Sequence, residues 1–150
     1  MVEISIVSYE DIDLYEGLMS IKINGYTLEH VDYYAEKELI DDKGQIGSVH
    51  SVELCFNGHR IELDSDKLTG IIYNKELGVP YTCTGIVHNP MIIGKRQFFL
   101  LECGMSIIVR CIPSIEITEG KRVSAQGTFE IRFIESEIYK LGKTIEQQNL

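Results

Sequence analysis

Four histidines, four cysteines and 23 carboxylates are the side chains with which this chain could do acid–base, nucleophilic or metal chemistry. His30, His50, His59 and His88 are scattered, with no His-x-x-x-His spacing among them, so they read as ordinary surface or part-buried histidines. Cys55, Cys83, Cys103 and Cys111 form no Cys-x-x-Cys, which argues against a zinc knuckle or a thioredoxin-type site. Reduced and set inside strands, they are expected to act as small buried hydrophobes. Asp64-x-Asp66-x-x-x-Gly70 is spaced like a calcium loop, but Lys75 stands where the twelfth position needs a carboxylate. Gly44-Gln-Ile-Gly47 is a bare Gly-x-x-Gly without the helical flanks of a KH domain. There is no Gly-x-Ser-x-Gly, phosphate-binding loop or dinucleotide fingerprint. No catalytic residue, metal ligand or cofactor is assigned, and the expected function is binding rather than catalysis.

The elements that would carry a binding surface are strands. At 150 residues the chain has room for one domain, or one domain with an elaborated arm. Hydrophobic content of 44% and charged content of 25% are globular values. No apolar run is long enough for a transmembrane helix, and Met1-Val-Glu-Ile-Ser-Ile-Val7 reads as a first strand rather than a signal peptide. No membrane partner is expected, and the expected location is the cytoplasm.

Charge is unevenly divided. Residues 1–80 carry 16 acidic and 6 basic side chains, net −10, whereas residues 81–134 carry 4 and 6, net +2. An acidic chain is a poor general ligand for nucleic acid, because neutralising phosphates dominates that affinity. The +2 block offsets this only in part.

The pattern divides the chain into an acidic β-rich segment over 1–80, a strand-rich block over 81–134, and a C-terminal helix and tail over 135–150. Asn24-Gly25 predicts a type I′ hairpin turn, and Asn57-Gly58 predicts a second Asn-Gly hairpin. Leu28, Val31, Ala35 and Leu39 fit a helical stripe, although the stretch starts like a continuing strand. Residues 68–73 read as a further strand, and Pro80, Pro90 and Pro113 are expected between strands. In the last strand Val123, Ala125, Gly127, Phe129, Ile131 and Phe133 share the buried face, with Gly127 marking a bulge or bend. Ile134, Ile138, Leu141 and Ile145 then lie at helical spacing.

A central hairpin links residues 97–103 to 106–111. With Gly104-Met105 as a two-residue turn, Phe99 lies opposite Arg110 and Phe98 opposite Cys111. Phe98, Leu100, Ile107, Val109 and Cys111 then face the core, and Gln97, Phe99, Leu101, Ile108 and Arg110 face outward.

Three segments carry a family resemblance: Cys83-Thr-Gly-Ile-Val87, the hairpin over 98–109, and Glu119-Gly-Lys-Arg-Val-Ser-Ala-Gln-Gly127 with its Gly-x-x-Val-x-x-x-Gly spacing. The 81–134 block resembles an oligonucleotide/oligosaccharide-binding (OB) fold, a small antiparallel β-barrel. The usual helix before its fourth strand is not evident, because 112–118 is short and contains Pro113. The fifth strand is not placed, the N-terminal half being one source for it. The resemblance implies a ligand across the second and third strands, held by stacked aromatics. Here that implies single-stranded DNA or RNA on Phe99 with Arg110, flanked by Gln97, and phosphate contacts from Lys95, Arg96, Lys121 and Arg122. The competing reading is a protein-interaction or assembly module, in which the acidic half takes a basic partner or a strand edge pairs with another chain.

Overall fold

The computed structural model describes residues 2–11, 16–34, 49–74, 79–113 and 115–133. Among them are nine strands and no helix, so the protein is all-β over this range. The helix expected over 135–150 lies outside the described residues, as does the stretch 35–40. The chain forms two compact units, Met1–Leu54 with Glu130–Leu150, and Cys55–Phe129.

The first unit starts as a meander of β1 (Val2–Asp11), β2 (Glu16–Ile23) and β3 (Tyr26–Tyr34), all antiparallel. Asn24 and Gly25 take φ of 48° and 83°, the two positive angles of the predicted I′ turn. Ile4, Ile6, Met19, Ile21, Ile23, Leu28, Val31 and Tyr33 form its core. The helix-like spacing of Leu28 and Val31 has a β explanation. His30 takes φ 54°, and between the pairs Ile21↔Leu28 and Met19↔Val31 β3 places two residues, Glu29 and His30, against Ser20 alone on β2. That bulge keeps both side chains on the buried face. The first residues of β4 (Val49–Leu63) pair with β1, and the end of β9 (Arg122–Phe133) runs parallel to β3 through Asp32↔Glu130 and Tyr33↔Ile131.

The second unit holds the rest of β4 and β9, with β5 (Gly70–Tyr73), β6 (Tyr81–Ile93), β7 (Arg96–Glu102) and β8 (Ser106–Cys111) between them. Its strands follow one another as a ring, β4-β8-β7-β6-β9, with β9 next to β4 and β5 on the free side of β6. The fifth strand therefore comes from the N-terminal half: residues 55–57 of β4 run parallel to residues 108–110 of β8. No helix interrupts the described part of the β8–β9 connection.

The core of this unit is Phe56, Tyr81, Cys83, Val87, Phe99, Leu101, Ile107, Val109, Val123, Ala125 and Phe129. The Phe129 ring makes edge contacts with Phe56 at 4.8 Å and with Tyr81 at 5.1 Å. Cys83, Cys103 and Cys111 are buried, and Cys55 is half-buried. Burial, with Cys103 beside it, pushes the Cys83 thiol well above its ordinary range.

Four local expectations are corrected. Asn57-Gly58 is not a turn. It lies inside β4, where Asn57 pairs in register with Arg110 and a Cβ on Gly58 would meet Ile61 and Val109. Of the bulge or bend expected at Gly127, the bulge is absent against β6, with which pairing is unbroken from Tyr81↔Gly127 to Ile86↔Arg122. Gly127 is small because a Cβ there would sit 1.8 Å from the Asn57 carbonyl oxygen. Pro90 stands inside β6, at the irregularity between His88 and Met91. The β7–β8 connection spans three residues, closing with Glu102↔Ser106, so Phe99 faces Val109 and Phe98 faces Arg110. That slip of one residue reverses the two faces of β7 while leaving β8 as expected.

Candidate functional site

The outer surface of β6, β7 and β8 is built by the strand period. On β7 the residues Arg96, Phe98, Leu100 and Glu102 point outward, and Gln97, Phe99 and Leu101 point inward. On β8 Ser106, Ile108 and Arg110 face outward. The cross-strand register joins these into rows: Met91–Phe98–Arg110–Asn57, and His88–Leu100–Ile108–Cys55. Beyond them Ile93 stands opposite Arg96. Met91 is 50% exposed and Ile108 45% exposed, with Phe98 and Leu100 half-buried between them. Five apolar side chains thus share one face across three strands, bordered by Arg96, Arg110 and Glu102. The Arg110 guanidinium is oriented by two hydrogen bonds donated to Asn57 Oδ1, from Nε at 2.9 Å and from Nη2 at 2.5 Å.

β6 and β7 continue past the ring as a two-stranded arm, because the pairing of β9 with β6 stops at Ile86↔Arg122. The arm closes at Ile93↔Arg96 through Gly94-Lys95, with Gly94 at φ 61°. Gly first in a two-residue loop is the type II′ arrangement. Ile92 and Ile93 are 64% and 59% exposed. Lys95 and Arg96 are exposed. At the base of the arm Asn89 takes φ 52°, and the Glu119 carboxylate holds it there. Glu119 Oε1 accepts the Asn89 amide at 2.8 Å, and Oε2 lies 2.7 Å from His88 Nδ1. The Asn89 amide and then His88 hold the Glu119 carboxyl below its usual range.

The residues singled out from sequence disperse. Phe99 is 2% exposed, inside the ring, so it offers no stacking platform, and it stands opposite Val109 rather than Arg110. Gln97 also points inward and is buried. Lys121 Nζ is 3.5 Å from Asp64 Oδ1. Arg122 donates to Thr69 Oγ1 at 2.8 Å and to the Lys67 carbonyl at 2.5 Å. Together they clasp the 64–69 turn. That turn is also anchored by a hydroxyl chain in which Ser65 Oγ is 2.7 Å from Ser124 Oγ, itself 2.6 Å from Thr84 Oγ1. Lys95, Arg96 and Arg110 remain on the outer face or its arm. Sequence reasoning missed Phe98 and Leu100, which it assigned to the core, and Met91, Ile92 and Ile93, which it left in no element. Gly94-Lys95 was the available signal, since a Gly-x turn there pairs 91–93 with 96–98.

Among the described residues no group of three or more His, Cys, Asp or Glu is placed to hold a metal ion. The first unit carries a groove of about 560 Å³ lined by Ser5, Lys22, Asn24, Tyr26 and Thr27 among others. Lys22 and Thr27 there are solvent-exposed, and no buried polar group points to a ligand. None of the described helices is long and apolar enough to cross a membrane, since none is present.

No protein-family model matches the chain, and no curated protein matches it. Among solved structures, one similar chain is the cytoplasmic molybdate-binding protein ModG, in a form with molybdate bound. It shares 11% identity over 85% of this chain and 88% of its own, with a TM-score of 0.49.

Proposed function

We propose that the protein is a non-enzymatic binding module that docks a protein partner on the outer face of β6, β7 and β8. The observation that supports this reading is the apolar patch of Met91, Ile93, Phe98, Leu100 and Ile108 on one strand-built surface. Contiguous exposed apolar side chains rimmed by polar ones are characteristic of interaction surfaces. The rim supplies the partner's chemistry. Arg96 and Arg110 border the Ile93 and Phe98 end of the patch and Glu102 the Leu100 end, so the complementary segment carries apolar side chains with Asp or Glu placed to meet the two arginines. Nucleic acid is the weaker fit, because Phe99 is unavailable for stacking and Lys121 and Arg122 are engaged with the 64–69 turn.

A displayed random-peptide library panned against the protein tests this. Enrichment of peptides combining large apolar residues with Asp or Glu is expected, with affinity falling at least about tenfold, or about 1.4 kcal/mol, in Ile108→Glu. Enriched peptides that ignore Ile108→Glu, or no enrichment beside salt-sensitive binding of labelled single-stranded DNA or RNA, would overturn the reading.

A further inference from the structure

We propose that the open edge of the β6 arm pairs, antiparallel, with the same edge of a second copy of this chain. This surface is the edge of the arm, not its outer face, and the inference stands apart from the partner reading above.

The hydrogen-bonding phase of the arm sets the geometry. In a two-residue hairpin the closing pair, here Ile93↔Arg96, exchanges hydrogen bonds, and the next pair does not. Ile92↔Gln97 is that next pair, so the N–H and C=O of Ile92 point away from β7. On that side of residues 91–93 no strand pairs among the described residues, since β9 leaves at Ile86 and the last backbone bonds to β6 are those of Val87 with Gly120 and Lys121. An exposed apolar edge with unpaired backbone groups is a template for another strand.

The edge is complementary to itself. About a two-fold axis at Ile92, each Ile92 N–H meets the C=O of its mate. Gly94 then lies opposite Pro90, and a Gly94 N–H can donate to a Pro90 carbonyl without calling on the amide hydrogen that Pro90 lacks. Pro90 also ends the pairing there, which limits it to two copies and blocks longer association. The same register sets Lys95 of one arm opposite Asn89 of the other, where the Glu119 carboxylate is fixed by the Asn89 amide. A cation at the tip thus meets an anion at the base, twice per pair. Ile92, 64% exposed in the single chain, becomes central. So few residues bury far less than the roughly 1,600 Å² of a stable interface, and the expected dimer is weak and concentration-dependent.

Sedimentation velocity of the full chain from about 10 µM to about 1 mM reads this equilibrium directly. The expected result is a monomer–dimer shift that Ile92→Lys abolishes while its far-ultraviolet spectrum stays that of the parent. Proximity is tested separately with Ile92→Cys and Ile93→Cys, each with Cys55→Ser to silence the half-buried native thiol, under oxidised glutathione. In a hydrogen-bonded antiparallel pair two Ile92 Cα atoms lie about 5.5 Å apart, within disulfide reach, whereas two Ile93 positions lie beyond about 7 Å. Disulfide-linked dimer is expected at least about tenfold faster from Ile92→Cys. A protein that stays monomeric throughout, or equal cross-linking of the two cysteine variants, would overturn the proposal. Neither outcome touches peptide binding by the outer face, which is read through Ile108→Glu.

Discussion

The carboxylate of Glu119 accepts the backbone amide of Asn89 at 2.8 Å across 30 residues of sequence, and so fixes the base of the β6–β7 arm. The bond is stronger to the charged carboxylate, and so lowers the folded-state pKa of Glu119, with His88 assisting. A depressed carboxyl contributes stability that is present above its unfolded value, about 4.3, and is lost as pH falls through the lower folded value. The Asn89 amide resonance is therefore expected to titrate below the usual glutamate range in two-dimensional NMR. Glu119→Gln should remove that titration. An Asn89 resonance that follows pH unchanged in Glu119→Gln would show that another group holds it.

Adjacent phenylalanines should behave very differently. Phe99 is inside the ring, and Phe99→Ala should cost about 3–5 kcal/mol. Phe98 is half-buried on the outer face, and Phe98→Ala should cost about 1 kcal/mol. Urea unfolding of the two variants measures the difference directly. Equal costs would contradict the register in which Phe99 faces Val109.

Two glycines mark places where backbones nearly touch. A Cβ at Gly127 would stand 1.8 Å from the Asn57 carbonyl oxygen, and one at Gly85 would stand 1.9 Å from that of Glu102. Both obstacles are main chain, which cannot rotate away as a side chain can. Gly127→Ala and Gly85→Ala are each expected to destabilise by more than about 2 kcal/mol. A midpoint unchanged in thermal unfolding would mean that the strands do not approach so closely.

The hydroxyl chain of Ser65, Ser124 and Thr84 closes the 64–69 turn over the ring. Ser124→Ala removes the middle hydroxyl, leaving Thr84 Oγ1 without it and Ser65 Oγ with only the Lys67 amide, at a cost of about 1–3 kcal/mol. Limited proteolysis should then cut within 64–69 sooner than in the parent protein. Arg122→Ala, which releases Thr69 and the Lys67 carbonyl, should have the same effect by a separate route.

How much of this was legible in the sequence depends on whether one phase of a strand was visibly better than the other. β9 alternates apolar with polar residues, and its buried face, Val123, Ala125, Phe129 and Ile131, follows directly. β7 does not alternate: Phe98-Phe99-Leu100-Leu101 is apolar in either phase, so a turn one residue too short was enough to reverse it. Asn57-Gly58 misled for a related reason. The dipeptide is a strong hairpin signal taken alone, but Asn57 is held in β4 by Arg110 and its carbonyl by the space at Gly127, partners 53 and 70 positions away. The outer face was legible in kind, since an aromatic, aliphatics and Arg110 do share it, yet the aromatic is Phe98. The contacts of Lys121 and Arg122 with the 64–69 turn were not legible, because sequence does not tell a loop cation with a nearby turn to hold from a free one.

The way β3 is completed has a consequence for synthesis. Unit two is one uninterrupted stretch, Cys55–Phe129, placed between the two pieces of unit one. The residues that run parallel to β3, Glu130 to Arg132, therefore leave the ribosome after all of unit two. At about 5–20 residues per second, the edge of β3 waits roughly 5–20 s for them. Throughout that interval the edge of β3 is unpaired, and only at its end is the second unit fully synthesised. A stall or premature stop just before codon 130 would leave the chain in that state.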